Sequence, residues 1–201
     1  MIIYKVLSKI SKLIFFPFVF LDRVRWLIDW YFFKKCSPPP PHFIKQSLLL
    51  RHGINKSVWV ETGTYLGQTT KFLSENFRFV HSIEPSKKCI RIAKRNLRFS
   101  KNVALYEGTS ELCLEAICSS LKGDICFWLD GHYSEGITFK GIVDTPILFE
   151  LNTIKKYLGN FSNTVILIDD IRTSHIDKNN YPPLSFYANW AESVGMDWTI
   201  E

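Results

Sequence analysis

The chain has 201 residues, enough for one domain with a sizeable core and too few for two. Hydrophobic residues make up 46% of it and charged residues 22%, which excludes a disordered chain, a collagen-like repeat and a polytopic membrane protein. The formal charge of +6 is not spread evenly. Residues 1–35 hold seven Lys and Arg against two Asp, while the remainder carries 18 basic against 17 acidic residues, so a generally basic nucleic-acid-binding domain is excluded and no nucleic-acid partner is expected.

Those 35 residues also hold 10 of the 30 aromatics. Ile3, Val6, Leu7, Ile10, Leu13 and Ile14 recur at helical spacing, with Lys5, Lys9 and Lys12 on the opposite face, which predicts an amphipathic basic helix. The longest uncharged run, Leu13 to Leu21, is nine residues and contains Pro17, whereas a helix needs about 20 apolar residues to span a bilayer. No small-residue cleavage site follows, so the segment is expected to be retained rather than removed as a signal peptide. Trp26, Trp30, Tyr31, Phe32 and Phe33, mixed with Arg23, Arg25, Lys34 and Lys35, have the composition of a helix lying in an anionic membrane surface. Packing of this arm on the domain or on a second subunit is the other reading, and the oligomeric state is left open.

Ser37 followed by Pro38 to Pro41 reads as a stiff spacer. The expected organisation is an arm over 1–36, a proline-rich linker over 37–42 and a single domain over 43–201. Five cysteines (Cys36, Cys89, Cys113, Cys118, Cys126) form no Cys-x-x-Cys pair, and four lie in apolar stretches. Reduced thiols in a cytoplasmic protein, peripheral on the inner face of a membrane, are therefore expected, without a zinc site.

From residue 57 short apolar runs alternate with helical patterns, predicting an α/β fold with a Rossmann-like, mostly parallel sheet. The strands fall at 58–61, 79–84, 103–107, 125–130 and 165–169, and helices at 68–77, 86–98, 110–120, 146–158 and 183–194. Residues 196–201 can begin one antiparallel strand, so the sheet either lacks its last hairpin strand or the sequence is a truncated product. Four strands end on acids: Glu61, Glu84, Asp130, and Asp169 with Asp170. Ligands of such sheets bind at the carboxyl ends of the strands, and a purely structural sheet gains little from carboxylates at one rim.

The first turn reads Glu61-Thr62-Gly63-Thr64-Tyr65-Leu66-Gly67 and leads into a helix. Its glycines allow a tight turn and a close approach of backbone. It lacks the Gly-x-Gly-x-x-Gly spacing of a dinucleotide site, and Glu61 would repel phosphate and attract an ammonium or sulfonium group.

This loop, with Ser82-Ile83-Glu84-Pro85 ending the second strand 17 residues after Gly67, resembles motif I and the ribose-binding acid of the class I S-adenosylmethionine-dependent methyltransferases. The resemblance covers about residues 57–175 and implies a cofactor site made by Glu61, Thr62, Gly63, Thr64, Gly67, Glu84 and Asp130. Ser110, in Glu107-Gly108-Thr109-Ser110, resembles the adenine-side loop. Asp130-Gly131-His132 and Ile168-Asp169-Asp170 resemble strand ends of methyltransferases that modify natural products and glycans. Metal-dependent sugar O-methyltransferases among them imply Mg²⁺ or another divalent cation on Asp130, Asp169 and Asp170.

Those relatives carry a carboxylate where this chain has His132. A histidine, with an ordinary pKa of about 6.5, suits deprotonating a hydroxyl near neutral pH, and His132 with Asp130 is the expected catalytic pair. His132 merely bonded to a neighbouring loop is the bland alternative. His175 and Asp177 stand where an acceptor pocket would be lined. The activity implied is methyl transfer to a hydroxyl of a sugar, glycan precursor or other small acceptor. The rival is a non-catalytic, membrane-associated or scaffold protein with a degenerate methyltransferase fold.

Overall fold

The computed structural model describes residues 21–22, 24–36, 41–131, 146–169, 171 and 182–201. The chain divides into two compact units, Met1–Arg51 and His52–Glu201. In the first, residues 24–28 are α-helical and continue as a π-helical turn over Asp29–Phe33; α1 spans His42–His52, its last residue being the first of the second unit.

The second unit alternates strand and helix: β1 Val58–Thr62, α2 Gln68–Asn76, β2 Phe79–Glu84, α3 Lys87–Asn96, β3 Val103–Glu107, α4 Ser110–Ser120, β4 Gly123–Leu129, α5 Ile147–Tyr157, β5 Phe161–Ile168 and α6 Leu184–Ser193. A short 3-10 turn, Leu158–Asn160, joins α5 to β5. The five strands lie in the order β3-β2-β1-β4-β5, and every pair is parallel. This is the expected Rossmann-like arrangement, with the order reversing beside β1. Among the described residues no antiparallel strand follows, and 196–201, expected to begin one, are not in a strand.

β1 is central and all five of its residues are buried, so alternate side chains serve two different layers. Val58 and Val60 join Ile83, Ile125, Phe127 and Leu129 in a cluster completed by Leu114 and Ile117 from α4, Leu151 and Ile154 from α5, and Trp190 from α6. The alternate residue Trp59 is fully buried and lies 5.0 Å from the Phe77 ring, centroid to centroid, after α2. Truncating either Trp59 or Phe127 to alanine is worth about 3–5 kcal/mol.

The largest boundary difference is β5, which begins at Phe161 rather than Val165. Phe161-Ser162-Asn163-Thr164 reads as a polar loop, but Asn163 Nδ2 donates to Asp124 Oδ1 at 2.7 Å across the β4–β5 pair. A register shift at Gly123/Asp124, where Gly123 has φ +89°, accommodates the extra residue. Cys89, Cys118 and Cys126 are buried, Cys113 is half-buried and Cys36 is exposed, and none of the five is in a disulfide.

Candidate functional site

The strand register aligns the acids more tightly than their spacing in the chain suggests. Thr62 pairs with Ile83 on one side and Leu129 on the other, Leu129 pairs with Ile168, and Glu84 pairs with Glu107. One residue further on, Gly63, Glu84, Asp130 and Asp169 therefore form a single row at the carboxyl edge. Backbone bonds carry the ladder through that row: Gly63 N donates to Ile83 O at 3.0 Å, Asp130 N to Thr62 O at 3.0 Å, and Asp169 N to Leu129 O at 3.0 Å.

Gly63 is obligatory on two counts. Its φ is +91°, and a Cβ there would stand 2.3 Å from the Asp130 carbonyl oxygen. Gly67, with φ +81°, opens α2, and a Cβ on it would press on the Leu97 side chain at 3.1 Å. Between them Tyr65 is held at φ +50°. Its N–H donates to Glu84 Oε2 at 2.7 Å, while Ser86 N donates to Glu84 Oε1 at 2.8 Å. Burial raises the Glu84 carboxyl, and these two N–H groups oppose that rise. Each carboxylate oxygen keeps a second lone pair for a ligand hydroxyl.

Glu61 lies one residue inside the strand end, and its side chain turns into the layer between sheet and α2. Thr70 Oγ1 and Ser82 Oγ both donate to its Oε2 at 2.5 Å. Thr64 Oγ1 stands 2.5 Å from Ser82 Oγ, and with the Ser82 proton committed to Glu61, Thr64 is the donor. Glu61 Oε1 is buried without a partner. Burial pushes this carboxyl up to about 7, opposed by the Ser82 and Thr70 hydroxyls and reinforced by Asp130 and Glu84. Being 0% exposed, Glu61 presents no side-chain atom at the rim.

Thr62 and Ser110, expected beside the cofactor, face a different acid. Glu150 of α5 is 1% exposed, and the Ser110 and Thr62 hydroxyls lie close enough to hold its pKa down against burial, which still pushes it up to about 7. Yet Thr62 Oγ1, Ser110 Oγ and Glu150 Oε1 complete no well-aligned hydrogen bond. A Cβ on Gly131 would stand 3.3 Å from both Glu150 Oε1 and Thr62 Oγ1, so this polar cluster sits directly against the Asp130-Gly131 turn. Asp130 raises the pKa of Glu61 and of Glu150, and so is electrostatically coupled to both buried acids. Glu150 lies on a helix and is not among the acids that the strand ends pick out. The signal was its place in the stripe Ile147, Glu150, Leu151, Ile154, where helical spacing calls for an apolar residue.

His132, Asp170, His175 and Asp177 lie outside the described residues. Among the described residues no group of three or more His, Cys, Asp or Glu is arranged to hold a metal ion. The described part of the expected cation site, Asp130 and Asp169, is not a metal centre by itself.

No protein-family model matches the sequence, and no curated protein sequence matches it. Solved structures do share its architecture. One described as precorrin-8w decarboxylase from Methanobacterium thermoautotrophicum superimposes with a TM-score of 0.51 at 17% identity, over 81% of this chain and 77% of that one. Precorrin-6y C5,15-methyltransferase from Geobacter metallireducens gives 0.51 at 13% identity, over 75% and 70%. The YcgJ protein of Bacillus subtilis gives 0.50 at 10%, over 77% and 68%. The chain has the Rossmann-like methyltransferase fold. At these identities the likeness concerns architecture, and the chemistry has to be argued from the site.

Proposed function

We propose that the chain is an S-adenosylmethionine-dependent methyltransferase whose acceptor is a hydroxyl on a sugar, a glycan precursor or another small hydroxylated molecule. The observation that carries this reading is the position of Glu84. It stands in register beside Gly63, which has no room for a side chain, and its carboxylate is fixed by two backbone N–H groups with lone pairs to spare. A ligand with vicinal hydroxyls over a bare stretch of backbone suits that arrangement, and the ribose of S-adenosylmethionine is such a group. When bound, the cofactor supplies a sulfonium-activated methyl group open to displacement by an acceptor oxygen.

The rest falls to the chain. Glu84 accepts from the ribose hydroxyls, Gly63 lets the Asp130-Gly131 turn close against the β1 loop beside them, and Asp130, with Glu61 in its ionised form, provides negative potential that favours the cationic cofactor. His132 takes the acceptor hydroxyl's proton as the oxygen becomes a nucleophile, a task suited to an imidazole near neutral pH. The hydroxyl assignment rests on the resemblance of Asp130-Gly131-His132 and Ile168-Asp169-Asp170 to glycan-modifying enzymes.

Calorimetric titration of the folded protein with S-adenosylmethionine and S-adenosylhomocysteine tests the reading, and saturable binding of both is expected. Heat-stable, well-folded protein that binds neither overturns it in favour of a non-catalytic protein on a degenerate fold. With binding established, His132→Ala should abolish methyl transfer while leaving cofactor affinity unchanged.

A further inference from the structure

The feature that the proposed reaction does not use is the aromatic segment of the first unit. Over residues 21–36 the exposed apolar side chains include Trp26, Tyr31, Phe32 and Phe33, whose relative exposures run from 60% to 78%. Leu27 and Ile28 are also exposed, at 42% and 47%. They do not form one stripe. Successive α-helical residues point about 100° apart, so Trp26-Leu27-Ile28 cover more than half of the circumference, and Tyr31-Phe32-Phe33 on the π-helical turn also face successive directions. A partner helix covers a seam roughly a third of the way round and would leave the other side chains in water.

Charge narrows the choice of partner. Arg25, Lys34 and Lys35 are exposed within the segment, and Asp29, one of its two acids, is paired with Lys34 Nζ at 3.6 Å. With seven basic and two acidic residues in 1–35, two copies of the arm would repel each other, whereas an anionic surface complements them. Tryptophan and tyrosine at a boundary, with lysine immediately beyond, are the residue types that settle between headgroups and acyl chains. Among the described residues no helix is long and apolar enough to cross a membrane. Asp22, Arg25 and Asp29 also interrupt the apolar sequence too often for burial in hydrocarbon.

We infer that residues 21–36 form an interfacial anchor that seats the protein on an anionic lipid surface, its aromatic side chains sunk to the headgroup boundary and its lysines among the lipid phosphates. Residues 36–201, with 18 basic against 17 acidic residues, contribute little to this attraction, so the charge is supplied by the arm over 1–35 of which this segment is the aromatic part.

Flotation of the full-length protein with phosphatidylcholine vesicles, with and without phosphatidylglycerol, tests the assignment. Wild type should float with the anionic vesicles and much less with the neutral ones. Lys34→Gln with Lys35→Gln should weaken partitioning about 30-fold, from about fivefold per basic residue. Trp26→Glu, Phe32→Glu and Phe33→Glu together should abolish flotation while the thermal melt stays that of wild type. Trp26→Phe with Trp30→Phe, a milder pair, should float normally but lose most of the tryptophan quenching produced by spin-labelled lipid. Equal flotation of the triple glutamate variant, or no flotation of wild type, overturns the anchor. So does a dimer in solution that the triple variant dissolves while lipid binding is absent, which would assign the surface to a second copy of the chain.

Discussion

Replacing Glu150 with glutamine removes an ionisable group from the interior and almost preserves the shape of the side chain. Burial pushes the Glu150 carboxyl from its ordinary 4.5 up to about 7, helped by Glu111 and Asp130 and opposed by the Ser110 and Thr62 hydroxyls. In the unfolded chain the group titrates near the ordinary value. Between about pH 4.5 and 7 the folded protein therefore keeps a proton that the unfolded chain has released, and raising the pH favours unfolding. A difference of about 2.5 units at 1.36 kcal/mol each comes to about 3 kcal/mol, present as lost stability above pH 7 and absent below 4.5. Glutamine cannot ionise, and its amide can both donate to and accept from the two hydroxyls. At about 2–4 °C per kcal/mol for a chain of this size, Glu150→Gln should melt about 6–12 °C above wild type at pH 8 and close to it at pH 5. Scanning fluorimetry across that range reads the effect. The same offset at both pH values would refute the argument, because a packing change does not titrate. Glu61 is raised to about 7 by the same cause, so the single variant should keep about half of the wild-type slope and the Glu61→Gln, Glu150→Gln pair very little.

Glu84→Ala should weaken S-adenosylmethionine binding at least about 100-fold in calorimetry, the loss of two charge-assisted hydrogen bonds of about 1.5–3 kcal/mol each. It should also lower the melting temperature, because Tyr65 N and Ser86 N lose their acceptor. Gly63→Ala should cost more than the 1–2 kcal/mol or so of a left-handed alanine, since the Cβ clash with Asp130 O must also be relieved, and should abolish cofactor binding. In thiol titration of the native protein Cys36 should react first. Cys118, whose thiol burial pushes up to about 12, and the buried Cys89 and Cys126 should react only on denaturation.

The sheet was legible because each strand is a short apolar run closed by an acid or a turn, and a parallel sheet buried on both faces requires such runs. The limits of α2 to α6 differ from those expected by no more than two residues at either end, and at α2 and α3 Gly67 and Ser86 punctuate the chain in ways local chemistry dictates. Ser86 Oγ accepts from Cys89 N at 3.3 Å, a cap visible in the sequence as serine ahead of a helical pattern. The start of β5 was not legible. Its polar residues are held by Asp124 on a strand nearly 40 residues earlier, and no local pattern reports a partner at that distance.

The candidate site divides along the same line. The sequence alone indicated that Glu84, Asp130 and Asp169 end strands, since the apolar runs stop there. It could not show that register brings them into one row, because register depends on crossover lengths and on the β4–β5 shift. Nor could it separate rim acids from interior ones. Glu61 is a single residue from the end of β1, and that residue moves its carboxylate from the rim into the layer beneath. Thr62, next along, points to the opposite layer and meets Glu150, whose carboxylate arrives from a helix that begins 85 residues later. Two buried acids thus lie in different layers, each raised to about 7 and each coupled to Asp130. A structural core gains nothing from ionisable groups in those places, where leucine or glutamine would be more stable at neutral pH. The S-adenosylmethionine site proposed above would account for them, because a cationic ligand at the strand-end turns would repay the cost of ionising them.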